Sequence, residues 1–204
     1  MVPPMLIPVI LAAGESSRMG CPKPYLRLPE GAFVEVIAAR LHKAGISADG
    51  VIVFNPAHRD LLNAARLPHF RAVPNHNREL GPLHSLHLAI GHIPKASGVI
   101  LCLADHPLVA VFTYGLMADA HAQSPNEVIL PAYEGRTGHP VILPSALFEG
   151  ILELDPRLPG GLGRFLAGHP LPSRIISVDD PGILADLDTR EEYLQALGGQ
   201  APQS

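Results

Sequence analysis

The segment from Leu11 to Lys23 combines small residues with two cations. It contains Gly14, Ser16, Ser17 and Gly20, and Arg18 and Lys23 lie five positions apart. Small residues let backbone N–H groups approach a phosphate chain closely, and the two cations can neutralise its charge. No Lys-Ser/Thr pair follows at Walker A spacing, and GxGxxG is absent. The segment therefore predicts a triphosphate-binding loop of another type, with a flexible surface loop as the alternative.

Asp105 ends a continuous apolar run from Val99 to Ala104, which predicts a strand buried on both faces. A carboxylate here can cap the next helix, or it can hold Mg²⁺ beside substrate phosphates. The neighbouring phosphate loop favours Mg²⁺. Asp186 and Asp188 could supply a second ligand, although Asp188, with Glu191 three residues later, could instead cap the final helix.

Short apolar runs alternate with helical patterns, which predicts βαβ units and a largely parallel sheet. Ligands bind outside the carboxyl ends of strands in such sheets, so the two loops above are expected to share one cleft. No long linker divides the chain, which predicts one domain over 1–197 and a disordered tail over 198–204. Strands are predicted at 5–12, 51–54, 70–73, 99–104, 127–131, 140–143 and 174–178, and helices at 32–44, 58–65, 82–93, 108–122, 145–154 and 191–197, with a short helical piece in 157–169.

The composition excludes several classes of protein. With 47% hydrophobic and 17% charged residues among 204, the chain is expected to fold. A formal net charge of -4 lacks the basic excess of a nucleic-acid binder. No apolar run is long enough to span a membrane, and two cysteines without metal spacing suit a reducing cytoplasm. Nothing in the sequence indicates an oligomeric state.

The Leu11 to Lys23 segment resembles the N-terminal signature of the MobA-like nucleotidyltransferases, and within them the molybdenum cofactor cytidylyltransferase (MocA-like) branch. The resemblance implies a Rossmann-like three-layer αβα nucleotidyltransferase fold with a mostly parallel sheet. It also implies Mg²⁺-dependent transfer of a nucleotidyl group from an NTP to a phosphorylated, pterin-type acceptor, with release of pyrophosphate. Further motifs that resemble the family pattern follow in the same order along the chain: Gly81 with Ser85-Leu86, Asp105-x-Pro107, Gly138-His139-Pro140-Val141, and Asp186-x-Asp188-Thr189 before Glu191-Glu192-Tyr193.

Residue roles follow from the same resemblance. The catalytic residues would be Arg18, Lys23 and Asp105, with Arg18 and Lys23 on the triphosphate. Asp105 would ligate Mg²⁺, and Asp186 or Asp188 would complete the metal site. The remaining nucleotide contacts would come from Leu11, Ala12, Ala13, Gly14, Gly81 and Ser85, and the acceptor contacts from His139 and Arg164.

Three positions depart from the family pattern. His106 stands where Gln is usual, and Pro82-Leu83-His84 replaces a Ser-rich helix start. The stretch from Gly160 to Arg164 lacks the acid and lysine of a Gly-Asp-Lys-Gly-x-Arg element, so a non-catalytic nucleotide-binding accessory protein is the alternative of another class. Ala12-Ala13, where the guanylyl branch typically reads Ala-Gly, favours CTP. GTP, or a sugar or polyol phosphate as acceptor, is the alternative within the same chemistry.

The histidine content is high, with 11 in the chain. His76, His106 and His139 lie in predicted loops that could converge on one cleft, and His84 and His87 share one face of a predicted helix. No HExxH or comparable spacing indicates a transition-metal site. His139 is therefore expected to orient a loop.

Overall fold

The computed structural model describes residues 5–14, 19–46, 49–93 and 95–198. Its strands and helices alternate along the chain, as the pattern of apolar runs predicts. In chain order they are β1 (Leu6–Ala12), β2 (Arg27–Leu28), β3 (Gly31–Ala32), α1 (Phe33–Lys43), β4 (Gly50–Phe54), α2 (Arg59–Ala64), β5 (Phe70–Pro74), α3 (Pro82–Ile90), β6 (Gly98–Leu103), α4 (Val111–Gln123), β7 (Val128–Tyr133), β8 (Arg136–Thr137), β9 (Val141–Pro144), α5 (Phe148–Leu152), α6 (Gly161–Gly168), β10 (Ser173–Ser177) and α7 (Arg190–Leu197).

The central sheet has the strand order β10-β7-β9-β6-β1-β4-β5, and β8 pairs with β7. β1 runs parallel to both β4 and β6, while β9 runs antiparallel to β6 and β7. Leu11 is in register with Val53 on one side and Leu103 on the other. The sheet is thus mostly parallel, and β1, β4 and β6 end at the same edge.

Apolar side chains cover both faces of this sheet. On β1, Ile10 faces a cluster that contains Ile37 of α1 and Met117 of α4. Val9 faces the opposite cluster, which contains Leu86 of α3. Each of these side chains is at most 2% exposed, and burying one stabilises the fold by about 1.5–3 kcal/mol. The alternation along β1 therefore builds the three-layer αβα arrangement that the sequence predicts.

α4 begins at Val111, three residues later than the apolar pattern suggests. Asp180 explains the start, since its Oδ2 accepts hydrogen bonds from the Ala110 N–H at 2.8 Å and from the Thr113 hydroxyl at 2.6 Å. The acceptor for the first turn thus comes from a residue 70 positions along the chain, which no local pattern reveals. The two-residue strands β2, β3 and β8 are likewise too short to produce a pattern.

The last described helix is α7. The predicted tail lies outside the described residues except for Gly198, and the described helix before it ends at Leu197, as predicted. None of the described helices combines the length and apolar character needed to cross a membrane.

His121 is a buried histidine at the opposite end of β6 from the edge just described. Its Nε2 lies 2.9 Å from the Ser97 hydroxyl oxygen, which itself donates to the Met5 carbonyl, so Nε2–H donates to Ser97. The Nδ1 atom is buried without a hydrogen-bond partner, and a Cβ on Gly98 would lie 2.8 Å from the ring. Burial therefore lowers the pKa of His121 below its usual 6.5.

This lowered pKa predicts a pH dependence of stability. The unfolded chain binds a proton on His121 near pH 6.5 while the folded chain resists it, so stability is complete above that pH and falls as the solution becomes more acidic. We expect His121→Gln to show a smaller drop in melting temperature between pH 7.5 and 5.5 than the wild type. Calorimetry at both pH values measures the drop in melting temperature. His42→Gln, a change at an exposed histidine, is the control. Equal drops in wild type and His121→Gln would contradict the assignment.

Candidate active site

The chain leaves β1 and β6 side by side at the carboxyl edge of the sheet. The Ala104 N–H donates to the Leu11 carbonyl at 3.1 Å, which extends the ladder one residue beyond β6. Ala12 and Ala13 are buried, at 1% and 4% exposed, so only their backbone can face a ligand. Arg18 lies outside the described residues, and its role stays a prediction. The loops after β1 and β6 thus open on the same cleft, as the sheet class predicts.

Lys23 joins the two loops to the segment that precedes α7. Its Nζ lies 3.3 Å from Asp105 Oδ2 and also forms a charged hydrogen bond with Asp188 Oδ1. The Lys23 and Asp188 side chains are each 14% exposed, and Asp105 is 30% exposed. The formal charges of these three side chains sum to minus one.

Asp188 reaches this cluster because its segment is fixed to Asp105. The Leu187 N–H donates to the Asp105 carbonyl at 2.8 Å, and the Leu187 side chain is fully buried. Asp186 is exposed and makes no described contact with Lys23. The alternative in which Asp188 caps the last helix is wrong, because α7 is capped by Thr189, whose hydroxyl accepts from the Glu192 N–H at 3.3 Å.

Two imidazoles lie beside Asp105. The rings of His106 and His139 are 5.1 Å apart, and His106 Nε2 lies 3.9 Å from Asp105 Oδ1. Asp105 Oδ1 and the Nδ1 atoms of both histidines are buried without hydrogen-bond partners among the described residues. Burial lowers the pKa of His106, although nearby carboxylates oppose the shift. Burial, with a contribution from His106, lowers the pKa of His139 to about 4, so His139 is neutral at pH 7.

The loop that carries His139 is held by a close backbone approach. The His139 N–H donates to the Ile183 carbonyl at 2.9 Å, and a Cβ on Gly138 would lie only 2.2 Å from the same oxygen. Only glycine fits at 138 without moving the backbone. The peptide bond between His139 and Pro140 is cis. The loop before β9 is therefore fixed against the 181–183 turn by backbone contacts, and the expected role of the His139 side chain stays a prediction.

On the other side of the cleft, buried amides support the start of α3. Gly81 adopts a φ of 84°, a conformation that favours glycine. Ser85 is 4% exposed, and its hydroxyl accepts a hydrogen bond from Asn75 Nδ2 at 2.9 Å. Asn75 Oδ1 accepts in turn from the Asn77 N–H at 2.9 Å. In the described structure Ser85 thus fixes the loop that carries Gly81, and its predicted contact with base or ribose stays a prediction.

Sequence reasoning missed Asn55 and Asn75. Each is almost fully buried and directly follows a parallel strand, β4 or β5, as Asp105 nearly does for β6. Asn55 Oδ1 accepts from the Ala57 N–H at 3.0 Å and from the Arg78 guanidinium. The pattern that indicates Asp105, a polar residue after an apolar strand, is present at both positions.

A cavity of about 750 Å³ opens beside the charged cluster. Leu11, Gly81 and His139 line it, whereas Lys23, Asp105 and Asp188 do not, and leucines of the sheet, α3 and α6 supply much of its apolar lining. Arg164 of α6 is exposed and does not line the cavity. The predicted nucleotide side and His139 therefore meet around one space, and Arg164 lies outside it.

Residues 8–173 match the model of the MobA-like NTP transferase domain. The chain belongs to this family. A probable molybdenum cofactor guanylyltransferase of Rhodopirellula baltica is 31% identical over 132 residues, which are 63% of this chain and 61% of that protein. This MobA-like chain thus spans 61% of that relative's length.

Two solved structures have the same fold as the MobA-like chain. The crystal structure of Rv0371c from Mycobacterium tuberculosis H37Rv has a TM-score of 0.78 at 25% identity, over 95% of this chain and 98% of that one. The crystal structure of Rv0371C in complex with manganese has a TM-score of 0.77 at 23% identity, over 95% and 98% of the two chains. The three-layer αβα arrangement is therefore shared with these solved structures.

The donor set of the MobA-like site suits a hard divalent cation that also binds phosphate. Among the described residues, no group of three or more His, Cys, Asp or Glu side chains could hold an ion unaided. Mg²⁺ commonly takes only one or two carboxylates and completes its octahedron with waters and substrate phosphates. Asp105 Oδ1, buried without a hydrogen-bond partner, is an oxygen of this kind.

The charged cluster predicts the effect of removing its cation. Lys23→Met leaves the Asp105 and Asp188 carboxylates facing each other without the ammonium, so we expect a loss of about 1–3 kcal/mol in the free energy of unfolding at pH 7. Urea unfolding at pH 7 measures the loss. Arg27→Met removes a cation that is 74% exposed and serves as the control. A loss no greater than that of Arg27→Met would contradict the importance of the cluster.

Proposed function

We propose that this chain is one nucleotidyltransferase domain over residues 1–197, which transfers CMP from CTP to a phosphorylated, molybdopterin-type acceptor with release of pyrophosphate. The observation that carries the proposal is the Lys23, Asp105 and Asp188 cluster at the edge where β1 and β6 end. The cluster combines a cation for a triphosphate with carboxylates for a divalent ion. The adjacent cavity of about 750 Å³ has room for the nucleoside and the acceptor.

In the proposed reaction, an oxygen of the acceptor phosphate attacks the α-phosphorus of the nucleotide. A new phosphorus–oxygen bond forms, the bond between the α-phosphorus and the bridging oxygen breaks, and pyrophosphate leaves. The protein contributes positioning and charge stabilisation. Lys23 and Arg18 bind the triphosphate, and the backbone after Leu11 lies under the nucleotide. Asp105 and Asp188 hold Mg²⁺, which when bound neutralises phosphate charge.

Asp188 is favoured over Asp186 as the second carboxylate. Asp188 shares Lys23 with Asp105, whereas Asp186 is exposed and makes no described contact with Lys23. Carboxylate oxygens favour Mg²⁺, and the manganese complex of Rv0371C supports a divalent ion in general.

The nucleotide and the acceptor each have an alternative. The Ala12-Ala13 pair favours CTP, while the Rhodopirellula baltica relative is named for guanylyl transfer, which supports GTP. A sugar or polyol phosphate is the alternative acceptor. A non-catalytic nucleotide-binding role is the alternative of another class, and it is favoured by the exposed Arg164 and by the absence of acid and lysine between Gly160 and Arg164.

Thermal shift and pyrophosphate release together test the proposal. The full chain is heated with CTP, GTP, ATP or UTP, each with and without Mg²⁺, and pyrophosphate is assayed with a molybdopterin-type acceptor. We expect the largest stabilisation from CTP with Mg²⁺, and pyrophosphate only when acceptor is present. Stabilisation without pyrophosphate would favour the accessory role. No stabilisation by any of the four nucleotides would reject both roles.

Asp105→Asn tests the metal assignment. The amide retains the shape of the side chain but lacks the negative charge, so we expect the additional stabilisation that Mg²⁺ gives to CTP binding to disappear. The part of the thermal shift that CTP gives without Mg²⁺ should remain. Asp119→Asn, an exposed change on α4, is the matched control. If Asp105→Asn keeps the Mg²⁺-dependent shift, the metal lies elsewhere.

A further inference from the structure

We infer that His106 is a ligand of the divalent cation at this site, and that its nitrogen raises the affinity for Mn²⁺ and Co²⁺ relative to Mg²⁺. The inference rests on the proposed function for the presence of a cation beside Asp105. It goes beyond that function because it assigns a nitrogen ligand and a metal preference to this particular chain.

The first observation is a group of buried polar atoms that lack partners. Asp105 Oδ1, His106 Nδ1 and His139 Nδ1 are all buried without a hydrogen bond among the described residues. Buried polar atoms in folded proteins are nearly always satisfied, and an ion or a ligand is a common reason for an exception. Of these atoms, Asp105 Oδ1 is the one that His106 Nε2 faces, so a cation bound between them would satisfy the carboxylate oxygen.

The second observation is the spacing of the two donors. His106 Nε2 lies 3.9 Å from Asp105 Oδ1, which is too long for a hydrogen bond. Metal–nitrogen and metal–oxygen bonds of about 2.0–2.2 Å allow two donors on one ion to lie up to about 4.2 Å apart. The other oxygen of Asp105, Oδ2, is bonded to Lys23, so Oδ1 can bind the ion while the Lys23 contact persists.

The third observation is that His106 is fixed and surrounded by negative charge. Its side chain is 11% exposed, and its ring packs at 5.1 Å against that of His139. The carboxylates of Asp105, Asp186 and Asp188 all act on it electrostatically, and Lys23 opposes them. A rigid imidazole among three carboxylates and one ammonium is a favourable place for a divalent cation.

The chemistry of the donor gives the metal preference. Imidazole suits Mn²⁺ less than Co²⁺, but it suits both better than Mg²⁺, which prefers oxygen ligands. The glutamine that the MobA-like pattern usually carries at this position would offer an amide oxygen instead. Two protein donors are enough, because water and substrate phosphates fill the other positions, in keeping with the lack of a group of three donors among the described residues.

Metal titration of the full chain tests the preference. Mg²⁺, Mn²⁺ and Co²⁺ are titrated separately into wild type, His106→Gln and His42→Gln by calorimetry, without nucleotide. We expect His106→Gln to lower the Co²⁺ to Mg²⁺ affinity ratio by about tenfold or more, the size of effect seen when groups around a metal are altered. The His42→Gln control should keep the wild-type ratio. An unchanged ratio in His106→Gln, or no metal binding to the wild type at millimolar concentration, would overturn the inference.

Pulsed EPR of the Mn²⁺-loaded protein identifies the donor directly. We expect nitrogen coupling from a bound imidazole in wild type and its loss in His106→Gln, and His106→Asn serves as a second variant if His106→Gln does not fold. Coupling that persists in His106→Gln but disappears in His139→Gln would make His139 the ligand and reject His106. These readouts involve no nucleotide. Failure of every nucleotide to bind would therefore reject the proposed function, while nitrogen coupling would still support the metal site.

Discussion

The ammonium of Lys23 between Asp105 and Asp188 is the interaction on which the site depends. Asp105 and Asp188 lie 82 and 165 residues further along the chain than Lys23. Without the ammonium, two carboxylates of like charge would lie together in a partly buried site. Its geometry follows from the sheet, because Leu11 and Leu103 are in register and Ala104 continues that ladder. The position of the charges is thus a direct consequence of how β1 pairs with β6.

The same cluster explains how the proposed substrates would influence each other. A triphosphate would add anionic partners around Lys23, and a divalent cation would bind Asp105 Oδ1 while Oδ2 keeps its contact with Lys23. Because the cation would also bind the phosphates, binding of the nucleotide would favour binding of the metal, and by linkage the reverse would be equally true. Asp105 Oδ1, buried without a hydrogen-bond partner among the described residues, is the atom that such a cation would bind.

The sequence predicted those features that depend on local pattern. Apolar runs located β1, β4 and β6, and the rule that ligands bind at strand ends directed attention to Lys23 and Asp105. Features that depend on distant contacts were not predictable. Asp188 rather than Asp186 reaches Lys23 because of one hydrogen bond at Leu187, and the start of α4 depends on Asp180. The buried hydroxyl of Ser85 accepts a hydrogen bond from Asn75, and no spacing in the sequence predicts this contact.

His106 and His139 illustrate the limit of spacing rules for metal sites. A motif such as HExxH detects donors that share one helix, where the interval between ligands is fixed by the helical repeat. At the edge of a parallel sheet, donors come from different loops, and the strand order decides which loops meet. β9 lies beside β6, so the loop before β9 brings His139 to the residue that follows Asp105. The two histidines are 33 positions apart, and this interval brings them together only because of the strand order. The absence of a local motif is therefore no evidence against a metal ligand at His106.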